Sequence, residues 1–224
     1  LLIDQQIVVT GARMQVKVNS KIVDHDTVID TEAGSTIEIQ SSKCGCRCYI
    51  AFTKDMEATN FLGSVSTYEP GKFGGINGRA LKKGDTISFN GLDKNSIKSG
   101  QGASQQFDNS WLIKVTEGPE FNRLSSNAID SIENLEYIIS NDSNRMGIRV
   151  EGPSLEINES GNMISGPVFT GTIQCPETGL PILLGPDAQT LGGYPRILQV
   201  VKADRHLIGQ LRPGDQLKFQ RISL

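Results

Sequence analysis

The chain has 224 residues, of which 37% are apolar, 24 are Gly and 9 are Pro; 22 basic and 25 acidic side chains leave a formal net charge of −3. That balance supplies no cationic field for nucleic acid or an anionic membrane surface, and no apolar run approaches the ~20 residues that span a bilayer. The length allows one large or two small cores, and the glycine content suits a turn-rich β protein better than a helical bundle.

The opening LLIDQQIVVTGA has neither a basic n-region nor a cleavage site, so it reads as a strand rather than a signal peptide. With no initiator Met, the sequence is expected to begin inside a larger polypeptide. Short alternating runs follow at Gln6–Thr10, Met14–Val18, Thr36–Gln40 and Cys46–Thr53, each with the period of two that buries one face of a sheet. Between Asn60 and Gly78 the chain turns polar and glycine-rich, a cover for a barrel end or a binding loop. LKKGDTISF (Leu81–Phe89) then leads into a strand at Asp85–Asn90.

Residues Asp93–Asn109 carry Lys, Ser, Gln and Gly with little to pack, and read as an inter-module segment. Trp111–Thr116 opens a second module with Trp111, Ile113 and Val115 on one face. Ser126–Leu135 has helical spacing at Ile129, Ile132 and Leu135. Strands are expected at Glu136–Ser140, Met146–Val150, Ser154–Ile157, Val168–Cys175, Ile182–Leu184, Ile197–Val201 and Gln216–Ile222, with Asp204 capping one or two helical turns. LRPGDQLKF (Leu211–Phe219) repeats the earlier phrase about 130 residues on, which suggests two related β modules. These patterns predict a mainly β chain: a pair of small barrels with one or two short helices, spanning 1–92 and 110–224.

Cys44, Cys46 and Cys48 would share one face of a strand with successive side chains about 7 Å apart, too far for a local disulfide. Zinc favours loop-borne pairs with a fourth ligand, so the thiols, with Cys175, read as small apolar residues in a reducing compartment and no metal is assigned. His25 and His206 are the only histidines, which gives weak support to a His-centred nucleophile.

The richest chemistry lies in Asp187–Pro195, DAQTLGGYP. Gly192 and Gly193 would let backbone approach a ligand closely, or take positive φ and point N–H groups at an anion. Asp187 would orient an amine or act as a base. Gln189 and Thr190 would hold a carboxylate or carbonyl, and Tyr194 would form a wall. The same residues would equally serve a tight turn that satisfies its own backbone. Arg145 and Arg149 offer forked donors for a carboxylate or phosphate, Arg149 with Glu151 as an alternative ion pair, and Gln174 is an amide reader or a satisfied polar side chain on a solvated sheet face. GSVSTY (Gly63–Tyr68) and FGGINGR (Phe73–Arg79) crowd hydroxyls and glycines but lack the lysine and spacing of a phosphate loop.

LGSVSTY, GGINGRALKKGD, SNRMGIRVEG, GTIQCPETGLPILLGPDAQTLGGYP and QLRPGDQLKF, in that order along nearly the whole chain, resemble the allophanate hydrolase subunit 2 or biotin-dependent carboxyltransferase-like family. That family includes a 5-oxoprolinase subunit and an antagonist of a sporulation-kinase inhibitor. The resemblance implies two cyclophilin-like β barrels, the first incomplete here because the family's N-terminal QDxGRxGY-type phrase is absent. Arg145, Gly147, Asp187, Gln189, Thr190, Gly192, Gly193 and Tyr194 match its pattern; Val65, Ile148 and Leu191 depart from it.

As implied by that resemblance, the chain is a cytoplasmic subunit of an ATP-dependent complex that opens 5-oxo-L-proline to L-glutamate. Its partners would be an allophanate-hydrolase-subunit-1-like protein and a lactam-utilisation subunit. Asp187, Arg145 and Thr190 would be catalytic, and Gln174, Gln189, Gly192, Gly193, Tyr194 and Arg149 would bind the lactam or amide. The alternatives are carboxyl transfer from biotin to urea or a related amide, and a non-enzymatic regulator that binds a kinase-inhibitor protein.

Overall fold

A computed structural model describes residues 1–90, 106–158 and 163–223. The chain forms two compact units, one of Leu1–Lys43 and Cys48–Gln106 and one of Cys44–Arg47 and Phe107–Leu224. No described helix is long and apolar enough to cross a membrane. Positions 93–105 of the expected inter-module segment lie outside the described residues.

The first unit has strands β1 (Gln5–Gly11), β2 (Met14–Val18), β3 (Lys21–Val23), β4 (Ile29–Thr31), β5 (Ile37–Ser42), β6 (Cys48–Phe52), β7 (Asp55–Met56) and β8 (Phe89–Asn90). They form two antiparallel three-stranded sheets, ordered β4-β1-β6 and β3-β2-β5, and the pair β7-β8. Among the described residues these sheets do not close into a ring. Ile7, Val9 and Val16 are the fully buried centre, flanked by half-buried residues such as Val23, Ile39 and Phe52. The stretch Thr59–Gly78 packs on itself: Phe61 stacks on Phe73 with ring centroids 4.1 Å apart, and a Cβ at Gly74 would meet the Ser66 carbonyl oxygen at 2.0 Å.

The second unit has β9 (Ser110–Glu117), β10 (Tyr137–Ile139), β11 (Gly147–Glu151), β12 (Gly166–Pro167), β13 (Thr172–Gln174), β14 (Ile182–Leu184), β15 (Leu191–Gly192), β16 (Arg196–Val200) and β17 (Gln216–Arg221). Seven of them close a barrel in the order β10-β11-β14-β13-β16-β9-β17, while β12 and β15 pair separately. The β9–β17 pairing is parallel, running from Ser110↔Gln216 to Val115↔Arg221. Trp111, Ile113 and Val115 face inward as their alternation requires, and join Tyr137, Ile173 and Phe219 in a filled interior. A barrel of this strand number has room for its own side chains and little else. The helix α1 (Ser126–Ser131) is capped by Ser125, whose hydroxyl accepts the Ala128 N–H, and Ile132 is fully buried beneath it.

Several elements are shorter than their sequence patterns. The expected strand Val168–Cys175 starts only at Thr172, because Gly171 turns at φ +91°. Ser154–Ile157 makes a single bridge, Leu124↔Ile157, after Gly152 and Pro153 break the extended run. Asp85–Asn90 pairs only at Phe89–Asn90. Asp204 caps nothing: its carboxylate accepts the Lys114 N–H at 2.9 Å, and Lys202–Gln210 is a 3-10 helix. The three clustered cysteines do not share a strand face, since Gly45 at φ +73° breaks the chain and only Cys48 lies in a strand. Cys44–Arg47 belongs to the second unit, where the buried Gln210 amide accepts the Cys46 and Arg47 N–H groups and donates to the Arg47 carbonyl, each at 3.0 Å.

The repeated phrase builds the same turn twice. Gly84 and Gly214 take φ of +94° and +89°, and Asp85 and Asp215 each accept a backbone N–H from three residues earlier, Lys82 at 2.7 Å and Arg212 at 3.2 Å. The carboxylates then diverge. Asp85 lies in a two-pronged grip from Arg79 at 2.7 and 2.9 Å, which holds its pKa well below the usual carboxylate range. Asp215 is only 1% exposed and accepts the Trp111 indole N–H at 2.9 Å. Truncating Asp215 therefore orphans a buried indole as well as a turn. Asp215→Ala is expected to lower the unfolding free energy by about 2–4 kcal/mol in a urea titration, and Asp85→Ala by far less. Equal losses from the two variants would contradict this account.

Candidate functional site

The strands β14 and β16 both run antiparallel to β13, which lies between them. They are therefore parallel to each other, and Gly185–Pro195 must carry the chain from the Leu184 end of the barrel back to the Arg196 end. The barrel interior is filled, so this strap crosses outside β13. Ile173 points into the core, and its neighbours Thr172 and Gln174 point outward yet are buried.

At the Leu184 end the β11–β14 ladder continues beyond both strands. Gly185 donates to the Met146 carbonyl at 3.0 Å and Asp187 to the Arg145 carbonyl at 3.1 Å. The Asn144 side chain shapes this turn by accepting the Met146 and Gly147 N–H groups at 2.8 and 3.3 Å. A Cβ at Gly185 would lie 2.3 Å from the Arg145 carbonyl oxygen, so only glycine permits the approach. The result is a forked pair: Arg145 Nε and Nη2 donate to Asp187 Oδ2 and Oδ1 at 2.5 and 2.9 Å. The Asp187 side chain is 18% exposed and that of Arg145 53% exposed. A carboxylate set in this way can accept an N–H from an amide, and the adjacent guanidinium can draw on a carbonyl or carboxyl oxygen.

At the other end Gln174, 1% exposed, donates its amide to the Tyr194 carbonyl at 3.0 Å. A Cβ at Gly192 would sit 2.6 Å from that amide nitrogen, so the glycine exists to let the strap lie against Gln174. Neither Gly192 nor Gly193 takes positive φ. Gly192 makes its close approach to a side chain of the protein itself, whereas a Cβ at Gly193 would meet nothing nearer than Ser165 Oγ at 3.6 Å. Gly192 and Leu191 pair with Gly166 and Pro167, and the Thr190 carbonyl accepts the Val168 N–H at 2.9 Å.

The nine residues singled out from sequence thus fall into separate places. Arg145 and Asp187 are joined directly. Gln174, Gly192 and Tyr194 form a second group at the far end of the strap, with Gln189, Thr190 and Gly193 exposed on the strap itself. Arg149 stands exposed on β11, two residues from Glu151, whose carboxylate instead accepts the Ser140 hydroxyl at 2.7 Å.

Sequence reasoning missed the clamp that fixes the second anchor. Arg196 donates from Nε and Nη2 to the two Glu120 carboxylate oxygens at 2.8 and 2.5 Å, and from Nη1 to the Pro167 carbonyl at 3.0 Å. Glu120 also accepts the Arg196 backbone N–H. The only signal available was an Arg next to the Gly-Gly-Tyr-Pro run and a Glu after a strand end, too common a pattern to pair across 76 residues. The Arg196 hydrogen bonds hold the Glu120 carboxyl below its usual range, while burial pushes the Cys175 thiol up to about 12.

The family profile described as "Carboxyltransferase domain, subdomain A and B" matches residues 2–221. The chain belongs to the carboxyltransferase-domain family. It is 30% identical over 99% of its length to a 5-oxoprolinase subunit of Escherichia coli, of which it covers 71%. It is 28% identical to the urea amidolyase of Saccharomyces cerevisiae over 97% of its own length and 13% of that protein. Among solved structures, the Kluyveromyces lactis urea carboxylase superposes on all of this chain with a TM-score of 0.91 at 25% identity. The K. lactis urea amidolyase does so with a TM-score of 0.92 at 24% identity, a likeness of fold. The chain spans 22% and 15% of those two larger chains.

The Glu120–Arg196 clamp gives a pH test. Because the folded-state pKa of Glu120 lies below its unfolded value, the clamp's contribution is present above the unfolded pKa and fades as pH falls through the folded one. Wild type is expected to be more stable than Glu120→Gln at neutral pH, with the difference shrinking progressively below about pH 5. A gap in denaturation midpoints that stays constant down the acid series would show that the charge of Glu120 is not what holds the strap.

Proposed function

We propose that this chain is the carboxyltransferase part of a biotin-dependent enzyme that carboxylates the nitrogen of urea or a related amide. The observation that carries this reading is the match of a carboxyltransferase-domain profile to almost the whole chain. Proteins named for urea carboxylation, or for urea amidolyase activity, match 96–100% of the chain. In this reading the activity is centred on the Arg145–Asp187 fork. Asp187 would accept an N–H of the amide and turn the nitrogen lone pair toward the carboxyl carbon; as the new N–C bond forms, the carboxyl carbon's bond to the carrier nitrogen would break, and the amide proton would pass through the Asp187 carboxylate to that nitrogen. Arg145 draws on the oxygens where negative charge collects. Gln189 and Thr190, exposed on the strap, donate to the amide carbonyl or the carboxyl, and Gly193 and Tyr194 shape the approach. Arg149 and Gln174 play outer parts, Gln174 by fixing the Tyr194 carbonyl.

Biotin, carried by another domain or polypeptide, supplies the carboxyl group when bound, and a guanidinium beside an exposed amide and hydroxyl suits that anion. ATP fits these residues poorly: the strap glycines do not form an N–H nest for phosphates, and Gly192 is committed to Gln174 and Gly166. In this reading ATP is used by partner polypeptides.

A second reading is favoured by the E. coli relative, of which the chain covers 71%. In it the same fork orients the lactam nitrogen of 5-oxo-L-proline within an ATP-dependent 5-oxoprolinase, beside an allophanate-hydrolase-subunit-1-like protein and a lactam-utilisation subunit. Both readings ask one site to grip an N–H next to a carbonyl.

The deciding experiment incubates the full-length protein, assembled with its partner polypeptides, with labelled carboxybiotin on its carrier and urea, and in parallel with ATP and 5-oxo-L-proline. Label transfer to urea supports carboxyl transfer, and glutamate release without label transfer replaces it with the second reading. Arg145→Ala and Asp187→Ala are each expected to lower kcat at least about 100-fold, and Arg145→Lys at least about tenfold because lysine cannot fork. Full activity in both alanine variants would remove the fork from the mechanism under either reading.

A further inference from the structure

Before its second anchor the strap pairs with a very short strand. Gly166 lies opposite Gly192 and Pro167 opposite Leu191, and the Val168 N–H donates to the Thr190 carbonyl at 2.9 Å. Val168 is 5% exposed, so that bond is shielded from water. A ribbon this short does not hold itself in place. What it rests on is Arg196. The guanidinium lies against Gly166, where a Cβ would meet Nη1 at 3.2 Å, and Nη1 donates to the Pro167 carbonyl at 3.0 Å.

The other donors of Arg196 fix its direction. Nε and Nη2 fork onto Glu120 at 2.8 and 2.5 Å, and the two side chains are 18% and 15% exposed. A planar guanidinium gripped along one edge keeps its remaining donor at a set angle, so Nη1 is held toward Pro167. The line of support runs from Glu120 through Arg196 and Pro167 to the Thr190 backbone. At its end stand the Gln189 amide and the Thr190 hydroxyl, exposed and, among the described residues, bonded to no protein group. Free polar groups on a backbone held in this way cost little ordering when a ligand arrives.

We propose that Glu120 and Arg196 are a positioning pair for the amide substrate: they touch neither the amide nor the carboxyl group, and they set where Gln189 and Thr190 meet it. This rests on the reading of the strap as the amide-binding edge. It adds that affinity for the amide is controlled from the turn after β9, outside the strap itself.

Two variants test it. Arg196→Lys keeps the charge but cannot fork onto Glu120 and reach Pro167 together. Gly166→Ala keeps both charges of the clamp and crowds the guanidinium against the ribbon, so the test survives if Arg196→Lys misfolds. Hydrogen exchange of the full-length protein is read first. The Val168 amide is expected to lose protection at least about tenfold in Arg196→Lys, and in the same direction in Gly166→Ala. The Val200 amide, bonded to Gly171, and the Asp187 amide at the other anchor are expected to keep theirs. Titration with urea and with 5-oxo-L-proline, followed by backbone amide NMR shifts along the strap, is expected to show dissociation constants raised at least about fivefold in Arg196→Lys. On a Gln189→Ala/Thr190→Ala background the same substitution is expected to change affinity less than about twofold, because a pair acting through those side chains has nothing left to position.

Neither measurement needs turnover. A wild type that binds urea but transfers no carboxyl group therefore removes the carboxyl-transfer reading while these results still decide the role of the clamp. Unchanged Val168 protection in both variants would overturn the proposal. So would an equal loss of affinity with and without the Gln189 and Thr190 side chains, or a wild-type strap that shifts with neither probe.

Discussion

The second unit is organised by one topological demand: the chain must return from the end of β14 to the start of β16 across the outside of β13. A parallel connection of this kind is usually made by a helix that covers the sheet. Here eleven residues, Gly185–Pro195, do it as an extended strap. The strap cannot bury a broad apolar face, so it is fixed at its ends. At one end the ladder of β11 and β14 runs on until Arg145 meets Asp187. At the other, Gly192 lies against Gln174 and the Tyr194 carbonyl takes that side chain's N–H. Of the buried outward residues on β13, Gln174 is satisfied by the Tyr194 carbonyl of the strap, whereas the Thr172 hydroxyl donates to the Gln199 side-chain oxygen and accepts the Phe169 N–H.

The two ends are not equivalent in energy. Glu120 and Arg196 are mostly buried, bond each other through a fork and reach the Pro167 carbonyl, so removing one partner strands a charge away from water. Arg145 is half exposed, and a pair of that kind contributes roughly 0–1 kcal/mol after screening and side-chain ordering. The pair thus returns little stability, although its geometry is one that only Gly185 allows. The stretch Gln189–Thr190 between the anchors stays exposed, positioned by structure on both sides without being consumed by it.

Periodicity made most of the barrel legible. The inward row Trp111, Ile113, Val115 and the run Ile182–Leu184 follow from alternation and apolar content alone, and the repeated Leu-x-x-Gly-Asp phrase marks two turns with the same hydrogen bonds. The misses have local causes. Counting every second residue from Cys44 to Cys48 assumes an extended chain, and Gly45 at positive φ removes that assumption. Gly171 shortens β13 in the same way. The Asp-to-Tyr run stood out in the sequence, but its Gly192 is explained by Gln174, eighteen residues earlier, which no local pattern reveals. The Glu120–Arg196 clamp is likewise a product of topology: β16 pairs with both β13 and β9, and only that arrangement brings the turn after β9 to the start of β16.

The two units place polar chemistry differently for a reason of volume. The barrel of the second unit is packed with side chains as large as Tyr137 and Phe219, whose ring centroids are 5.9 Å apart. Burial raises the pKa of the Tyr137 phenol inside it. Nothing larger than a side chain fits there. Among the described residues, the buried apolar cluster of the first unit is the smaller one, built on Ile7, Val9 and Val16. The same Gly-Asp turn follows this division. Asp215 is drawn under Trp111 to complete a full core, while Asp85, with no such core to join, is held near the surface by Arg79.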